Sequence, residues 1–321
     1  MRKFLTFIML AAVLAACSPR IQSTRQPVDP NQAGAITIPH KMGEAVLPGP
    51  ALRVVALEWT YVENLLALGI QPVGVADIEG FNTWVNVPAE LSADVVDVGM
   101  RGEPDFETLA GLQPDLIIDT EASAAGYYEQ LNAIAPTLVF NPYPDDPNLS
   151  TFQEMQDSFR LLGQATGRGD VAEQVLADLD AKIAEGRAAI EASGHAGEGF
   201  VLSQMMSWLN TAYLRFFIDN GMATNIVEQL GLENAWSSDF AQYGFAEVGT
   251  EALTEVGDVY FFYVMQNDDG LNTSGSFQKL WESLPFVQSG KAHAIGGDTW
   301  LFGGPLSAGV LIDRVVAAVT E

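Results

Sequence analysis

The chain has 321 residues, 48% of them hydrophobic and 17% charged, with 41 acidic against 15 basic side chains and a formal net charge of −26. This composition supports a substantial buried core over roughly two domains of ~100–200 residues each and excludes a disordered or fibrous chain. The missing basic footprint excludes nucleic acid as a partner, because phosphate binding depends on clustered Lys and Arg, and acidity of this size serves solubility and the steering of cations instead.

The N-terminus reads as a leader, residues 1–16. Arg2 and Lys3 form a charged start, Phe4 to Val13 form an apolar run too short to span a membrane, and Leu14-Ala15-Ala16-Cys17 follows as a lipobox. Cys17 is the only cysteine, so no disulfide or thiolate site is available, and its expected role is lipidation. Residues 17–34 are polar, with Pro and Gln and no apolar period, and predict a flexible tether.

The folded body is expected from Ala35. Residues 35–39 and 43–48 predict a short β-ribbon, Arg53 to Leu57 a buried strand, Tyr61 to Leu68 a helix stopped by Gly69, and Gln71 to Ala76 the next strand. Strand, helix, strand is an α/β signature. Arg101 then stands between a strand-like run, Asp94 to Val98, and a capped helix. In so acidic a chain it is either an ion-pair partner of the nearby Glu103 and Asp105 or a hook for an outside ligand.

Residues 151–192 carry no strand signal. Phe152, Met155, Phe159 and Leu162, then Val171, Val175, Leu179 and Ile183, keep helical spacing on either side of a break at Thr166 to Asp170. The glycines of that break imitate a dinucleotide fingerprint, but no strand precedes them. Strands at Gly199 to Ser203 and Tyr213 to Ile218 and a helix at Ala223 to Leu230 then restart the pattern. Residues 107–118 are weakly echoed at 251–262, each with a glutamate early in a short helix that runs into a buried strand. Two α/β halves joined by a helical connection imply a bilobed protein with a cleft.

Enzyme signals are poor. His40, His195 and His293 lack metal-ligand spacing, there is no Walker loop, and the nearest match to a nucleophile elbow, around Ser307, has Pro305 where the turn needs Gly. A lipoprotein hydrolase is the alternative from a different class. Aromatics in predicted loops carry more: Trp84 after Asp77, Tyr127 after Gly126, Tyr243, and Trp300 with Phe302 stand at junctions after strands, where α/β folds place ligand contacts. With Arg101 they would grip a bulky, partly apolar ligand bearing anionic oxygens, using ring faces and a guanidinium fork.

At these residues the chain resembles a known family. RVVALEW (53–59), ENLLALGIQPVGVAD (63–77), DVGMRGEP (97–104), IAP (134–136), GLENAW (231–236), LPFV (284–287) and LSA (306–308) resemble, in that order, the iron-siderophore substrate-binding proteins of ABC importers, and most closely their ferric-hydroxamate-binding members. The likeness covers nearly all of residues 35–321. It implies a periplasmic-binding-protein fold with two α/β lobes, residues 35–149 and 168–321, joined by one long rigid helix, residues 150–167. It also implies a preformed cleft with no enzymatic activity, cofactor or protein-bound metal, the iron being held by the siderophore.

By motif, Arg101 matches the arginine on the siderophore oxygens. Trp84 matches a first-lobe wall aromatic, Tyr243, Trp300 and Phe302 match second-lobe aromatics, and Tyr127 fits a ligand tyrosine if a small gap is allowed. Arg215 replaces an aliphatic contact. Glu107 and Glu251 match the glutamates, one per lobe, that pair with permease arginines, although the helix dipole alone also favours acids at those positions. The expectation is therefore a monomeric, lipid-anchored periplasmic lipoprotein that hands a ferric siderophore, hydroxamate in type, to an inner-membrane permease. A haem or cobalamin carrier of a related importer is the alternative within the same class.

Overall fold

The computed structural model describes residues 28–208 and 211–321; the expected leader, Cys17 and the tether up to residue 27 lie outside the described residues. The β-ribbon is present as β1 (Ile36–His40) antiparallel to β2 (Gly43–Leu47), with Ile38, Ala45 and Leu47 buried. The chain then alternates through β3 (Val54–Ala56), α1 (Trp59–Ala67), β4 (Gly74–Val75), α2 (Ile78–Trp84), β5 (Val96–Asp97), a hairpin of β6 (Gly99–Met100) and β7 (Glu103–Pro104), α3 (Phe106–Leu112), β8 (Leu116–Thr120), α4 (Glu121–Ala124), α5 (Tyr128–Ile134) and β9 (Thr137–Phe140). The parallel sheet has the order β5-β4-β3-β8-β9.

β3, β4, β8 and β9 are buried on both faces, as strands of a sheet covered on two sides must be, and only the edge strand β5 is exposed. Val54, Ala56, Leu116 and Ile118 pack into one cluster with α1 and the ribbon, while Val55, Leu57 and Ile117 pack into another with Leu109 of α3 and Leu131 of α5. Gly69, at φ 72°, follows the α1 cap as expected.

Two helices lead to the second half, α6 (Thr151–Ala165) and α7 (Gly169–Ser193), broken at Gly167 in the left-handed region. Both reach from one core to the other. In α6, Met155 packs in the second core while Phe159, Leu162 and Ala165 pack in the first. In α7, Ala172 and Leu176 pack in the first core, and Leu179, Ile183 and Ile190 in the second.

The second half continues through β10 (Gly199–Trp208), β11 (Thr211–Phe217), α8 (Met222–Gln229), β12 (Glu233–Asn234), β13 (Phe245–Val248), a 3-10 turn at Thr250–Thr254, β14 (Tyr260–Val264), a second 3-10 turn at Gly270–Thr273, α9 (Gly275–Trp281), α10 (Pro285–Gln288), β15 (Ala292–Ala294) and α11 (Pro305–Thr320). The sheet order is β13-β11-β10-β14-β15, with β12 parallel to the start of β10. β10 runs five residues beyond the predicted strand end at Ser203, because its register with β11 carries pairing out to Trp208 opposite Thr211.

Candidate ligand-binding site

Arg101 stands at the tip of the β6–β7 hairpin. The two-residue loop Arg101-Gly102 needs a positive φ at its second position, which Gly102 supplies at 79°. The hairpin follows β5 and is tied to β4, since Asp77 N–H donates to Gly99 O at 2.8 Å. Arg101 is thereby carried over the carboxyl ends of the parallel strands, the usual ligand position of an open α/β sheet.

Its guanidinium is already well held. The Cζ lies 3.5 Å from the Trp59 ring centroid and 5.9 Å from that of Trp300, and Nη1 donates to Glu58 Oε1 at 2.9 Å. Asp77 Oδ2 stands 3.9 Å from Nε. The Trp59 indole is fixed in turn by donating Nε1–H to the Asp77 carbonyl at 3.1 Å. Neither Nε, which is buried, nor Nη2 makes a hydrogen bond among the described residues, and Nη2 is the donor proposed for a ligand.

From Arg101 a run of rings crosses to the second half. Trp59 meets Trp300 edge-on at 5.1 Å, Trp300 meets Phe302 at 5.2 Å, and Phe302 packs against Phe217 (5.4 Å) and Phe245 (5.8 Å). Tyr143, in the loop after β9, closes on Tyr243 at 5.2 Å and on Phe302 at 6.3 Å. Tyr243 is 49% exposed, so part of this surface is open to a ligand. Arg215, on β11, places its Cζ 4.5 Å from the Phe245 ring centroid.

Below the rings the halves are bolted together. Glu63, fully buried on α1, accepts from Gly304 N–H at 2.5 Å and Ser307 N–H at 2.8 Å, and so caps α11 from across the boundary. Thr60 Oγ1 donates to the Phe302 carbonyl at 2.7 Å, and Asn86 Nδ2 donates to Asp298 at 2.7 Å. Gly303 and Gly304 are required here: a Cβ on Gly303 would lie 1.9 Å from Glu63 Oε1, and one on Gly304 2.0 Å from Asn64 Oδ1.

Between the halves lies a cavity of about 20 Å³, room for one water, lined by Tyr61, Tyr143, Glu154, Phe217 and Phe302 among others. Burial pushes the carboxyls of Glu63 and Asp119 up to about 7 and that of Glu154 to about 8. Asp119 keeps two donors, the Thr120 N–H and the Tyr127 hydroxyl at 2.9 Å.

Arg101, Tyr243, Trp300, Phe302 and Arg215, all expected from the sequence, are thus joined in one surface. Trp84 is not in a loop; it ends α2 and packs half-buried against the first core, because the apolar positions of Ile78, Phe81 and Trp84 extend the helix through it. Trp300, expected on the second-lobe wall, also packs against the first core, through Trp59. Tyr127 turns its hydroxyl to Asp119 and its edge to Phe106 at 5.8 Å.

The ion partners of Arg101 are Glu58 and Asp77 rather than Glu103 and Asp105, since Asp105 is engaged in capping α3 through the N–H groups of Glu107 and Thr108. Glu107 and Glu251 are exposed in matching places, each in the first turn of the short helix that feeds β8 or β14, strands that run parallel to β3 and β10. Ser307 is buried in the first turn of α11, where its N–H donates to Glu63 Oε2 at 2.8 Å as part of the cap of that helix. Among the described residues no group of three His, Cys, Asp or Glu gathers as a metal site.

The sequence reading missed Glu58, Trp59, Asp77, Tyr143 and Phe245 as site residues. The signal for the first three was positional: Glu58-Trp59 and Asp77 directly follow the predicted strands at 53–57 and 71–76.

Comparison with known proteins agrees with this fold. The chain is 30% identical over 263 residues to the iron(3+)-hydroxamate-binding protein FhuD of Escherichia coli (strain K12), covering 80% of this chain and 83% of that one. It is 26% identical over 323 residues to the probable siderophore-binding lipoprotein YfiY of Bacillus subtilis (strain 168), covering 96% and 94%. Among solved structures, the Fe3+-Desferal-bound siderophore binding protein FhuD from Vibrio cholerae superposes with a TM-score of 0.75 at 27% identity, covering 84% of this chain and 98% of that one. The family model described as periplasmic binding protein matches residues 54–298, three quarters of the sequence from β3 to the loop before Trp300, and the chain belongs to that family.

Proposed function

We propose that this protein captures a ferric siderophore, with the hydroxamate type favoured, in the surface between its two halves and delivers it to the permease of an ABC importer without chemistry on the ligand. The observation that carries this reading is Arg101, seated on Trp59 and facing the aromatic run through Trp300 and Phe302 to Tyr243. A ferric hydroxamate presents partly charged, metal-bound oxygens on an apolar shell, and an arginine fork among ring faces recognises both. The E. coli and V. cholerae relatives, named for ferric hydroxamate and Desferal, support the same ligand class.

Delivery rests on Glu107 and Glu251, exposed at equivalent places in the two halves and suited to pair with basic residues of a permease. Anchoring rests on Cys17, in keeping with the B. subtilis relative being named a lipoprotein. The protein acts as a monomer held at the membrane by lipid alone.

Tryptophan fluorescence tests the ligand class, since Trp59 and Trp300 lie at Arg101. Titration with ferric trihydroxamates, ferric citrate, haem and cobalamin should give saturable quenching with the trihydroxamates. Tight haem binding with no response to any iron chelate would overturn the reading.

A further inference from the structure

The two arginines of the surface differ in electrostatic state. Arg101 is compensated: Glu58 bonds it at 2.9 Å, and Asp77 stands 3.9 Å away. Arg215 has no carboxylate within 4 Å among the described residues. Its Nη1 donates to the neutral amide oxygen of Gln204, its neighbour in register on β10, at 3.0 Å. Its Nε, like that of Arg101, is buried without a hydrogen-bond partner, so the difference between the two lies in the carboxylates; its Cζ lies over Phe245 and Tyr213 at 4.5 and 5.4 Å. Glu247, opposite Arg215 on β13, is instead engaged by the Tyr213 hydroxyl.

Holding a half-buried guanidinium on an amide and two ring faces, in a chain with 41 acids to choose from, leaves a cation that an incoming anion can satisfy. Phe217, two residues along the same face of β11, lines the cavity between the halves, and Phe245 packs on Phe302, so this face belongs to the ligand surface.

We propose that Arg215 is a specificity-determining contact that receives a carboxylate carried by the ferric siderophore, while the compensated Arg101 end takes the neutral metal-bound oxygens. The surface is then polar in a directional sense, and the preferred ferric hydroxamate carries an acidic appendage on the side away from Arg101. This inference rests on the siderophore reading above but can fail separately from it.

The probes are three ferric complexes of one linear trihydroxamate, ending in a free amine, its acetyl amide or its succinyl amide, so that only the charge of the terminus changes. Binding of the acetylated complex by the wild type carries the siderophore reading. The ratio of succinylated to acetylated affinity carries this one, and it should favour the succinylated complex about tenfold. Arg215→Gln should bring that ratio to about one. Gln204→Glu, which keeps the arginine but supplies a carboxylate beside it, should do the same, with thermal melts confirming that both variants fold. A wild-type ratio of one, or a ratio unchanged in both variants, overturns the proposal; no binding of any of the three complexes overturns both readings.

Discussion

Glu63 makes stability depend on pH in a calculable direction. Its carboxyl is fully buried, and its pKa is raised from 4.5 to about 7 by desolvation, which outweighs the N–H groups of Gly304 and Ser307 that favour the charged form. An acid whose folded pKa lies above its unfolded one contributes stability that is fully present below about pH 4.5 and is lost as pH rises through about 7. The gap between those values corresponds to roughly 3 kcal/mol. Asp119 and Glu154 act in the same sense, so the wild type should unfold more readily at pH 8 than at pH 5. Relief of repulsion among excess acids adds to the trend, and a variant is needed to isolate Glu63. Glu63→Gln leaves a neutral group of the same shape that still accepts one N–H. Its cost from the second N–H does not vary with pH. In urea unfolding at pH 5 and pH 8, the difference in stability between the two conditions should shrink by roughly 2.5 kcal/mol in Glu63→Gln relative to wild type, since part of the gap is already lost at pH 5. An unchanged difference would refute the reasoning that Glu63 is held against a desolvation cost.

Three further outcomes follow from the same contacts. Arg101→Ala should lower affinity for a ferric trihydroxamate by roughly 1.5–3 kcal/mol, the scale of a charged hydrogen bond, and should also cost some stability by leaving Glu58 unpaired. The double variant Glu58→Gln/Arg101→Ala should regain the melting temperature but not the affinity, and recovery of both would remove Arg101 from the ligand. Gly304→Ala, which forces a methyl to 2.0 Å from Asn64 Oδ1, should lower the melting temperature by several degrees, whereas Gly257→Ala, with open space around it, should not. Replacing Glu107 and Glu251 together by Ala should leave binding intact and stop iron uptake in cells; continued uptake would end their assignment to the permease.

The alternation of apolar strands and helices was legible in the sequence because strands β3, β8, β9 and β14 are buried almost throughout and read as continuous apolar runs, whereas the edge strands β5, β13 and β15 are exposed or half-buried and gave weaker signals. The β-ribbon, the α1 stop at Gly69 and the break at Gly167 were likewise marked by residue chemistry that acts locally. The end of β10 was not, since Gln204 to Trp208 owe their strand to pairing with a later segment. The same limit applies at the site. Arg101 was visible as a scarce cation at a strand junction, but its partners Glu58 and Asp77 lie 43 and 24 positions earlier in the chain, beyond the nearest-neighbour acids that sequence reasoning offers. Trp300 was visible as a loop aromatic, yet its packing on Trp59 of the opposite half arises only when the halves close on each other. Tyr143 and Phe245 gave no separate signal, because single aromatics near apolar strands are most often core.

The measurement closest to the central claim is the fluorescence titration of the protein with one ferric trihydroxamate and with the same chelator lacking iron. The iron-loaded complex should quench Trp59 and Trp300 saturably at one site per chain, and the Glu58→Gln/Arg101→Ala protein, folded to the wild-type melting temperature, should bind it at least tenfold more weakly. Equal binding by the two proteins, or equal response to the iron-free chelator, would contradict a ferric-siderophore site built on Arg101.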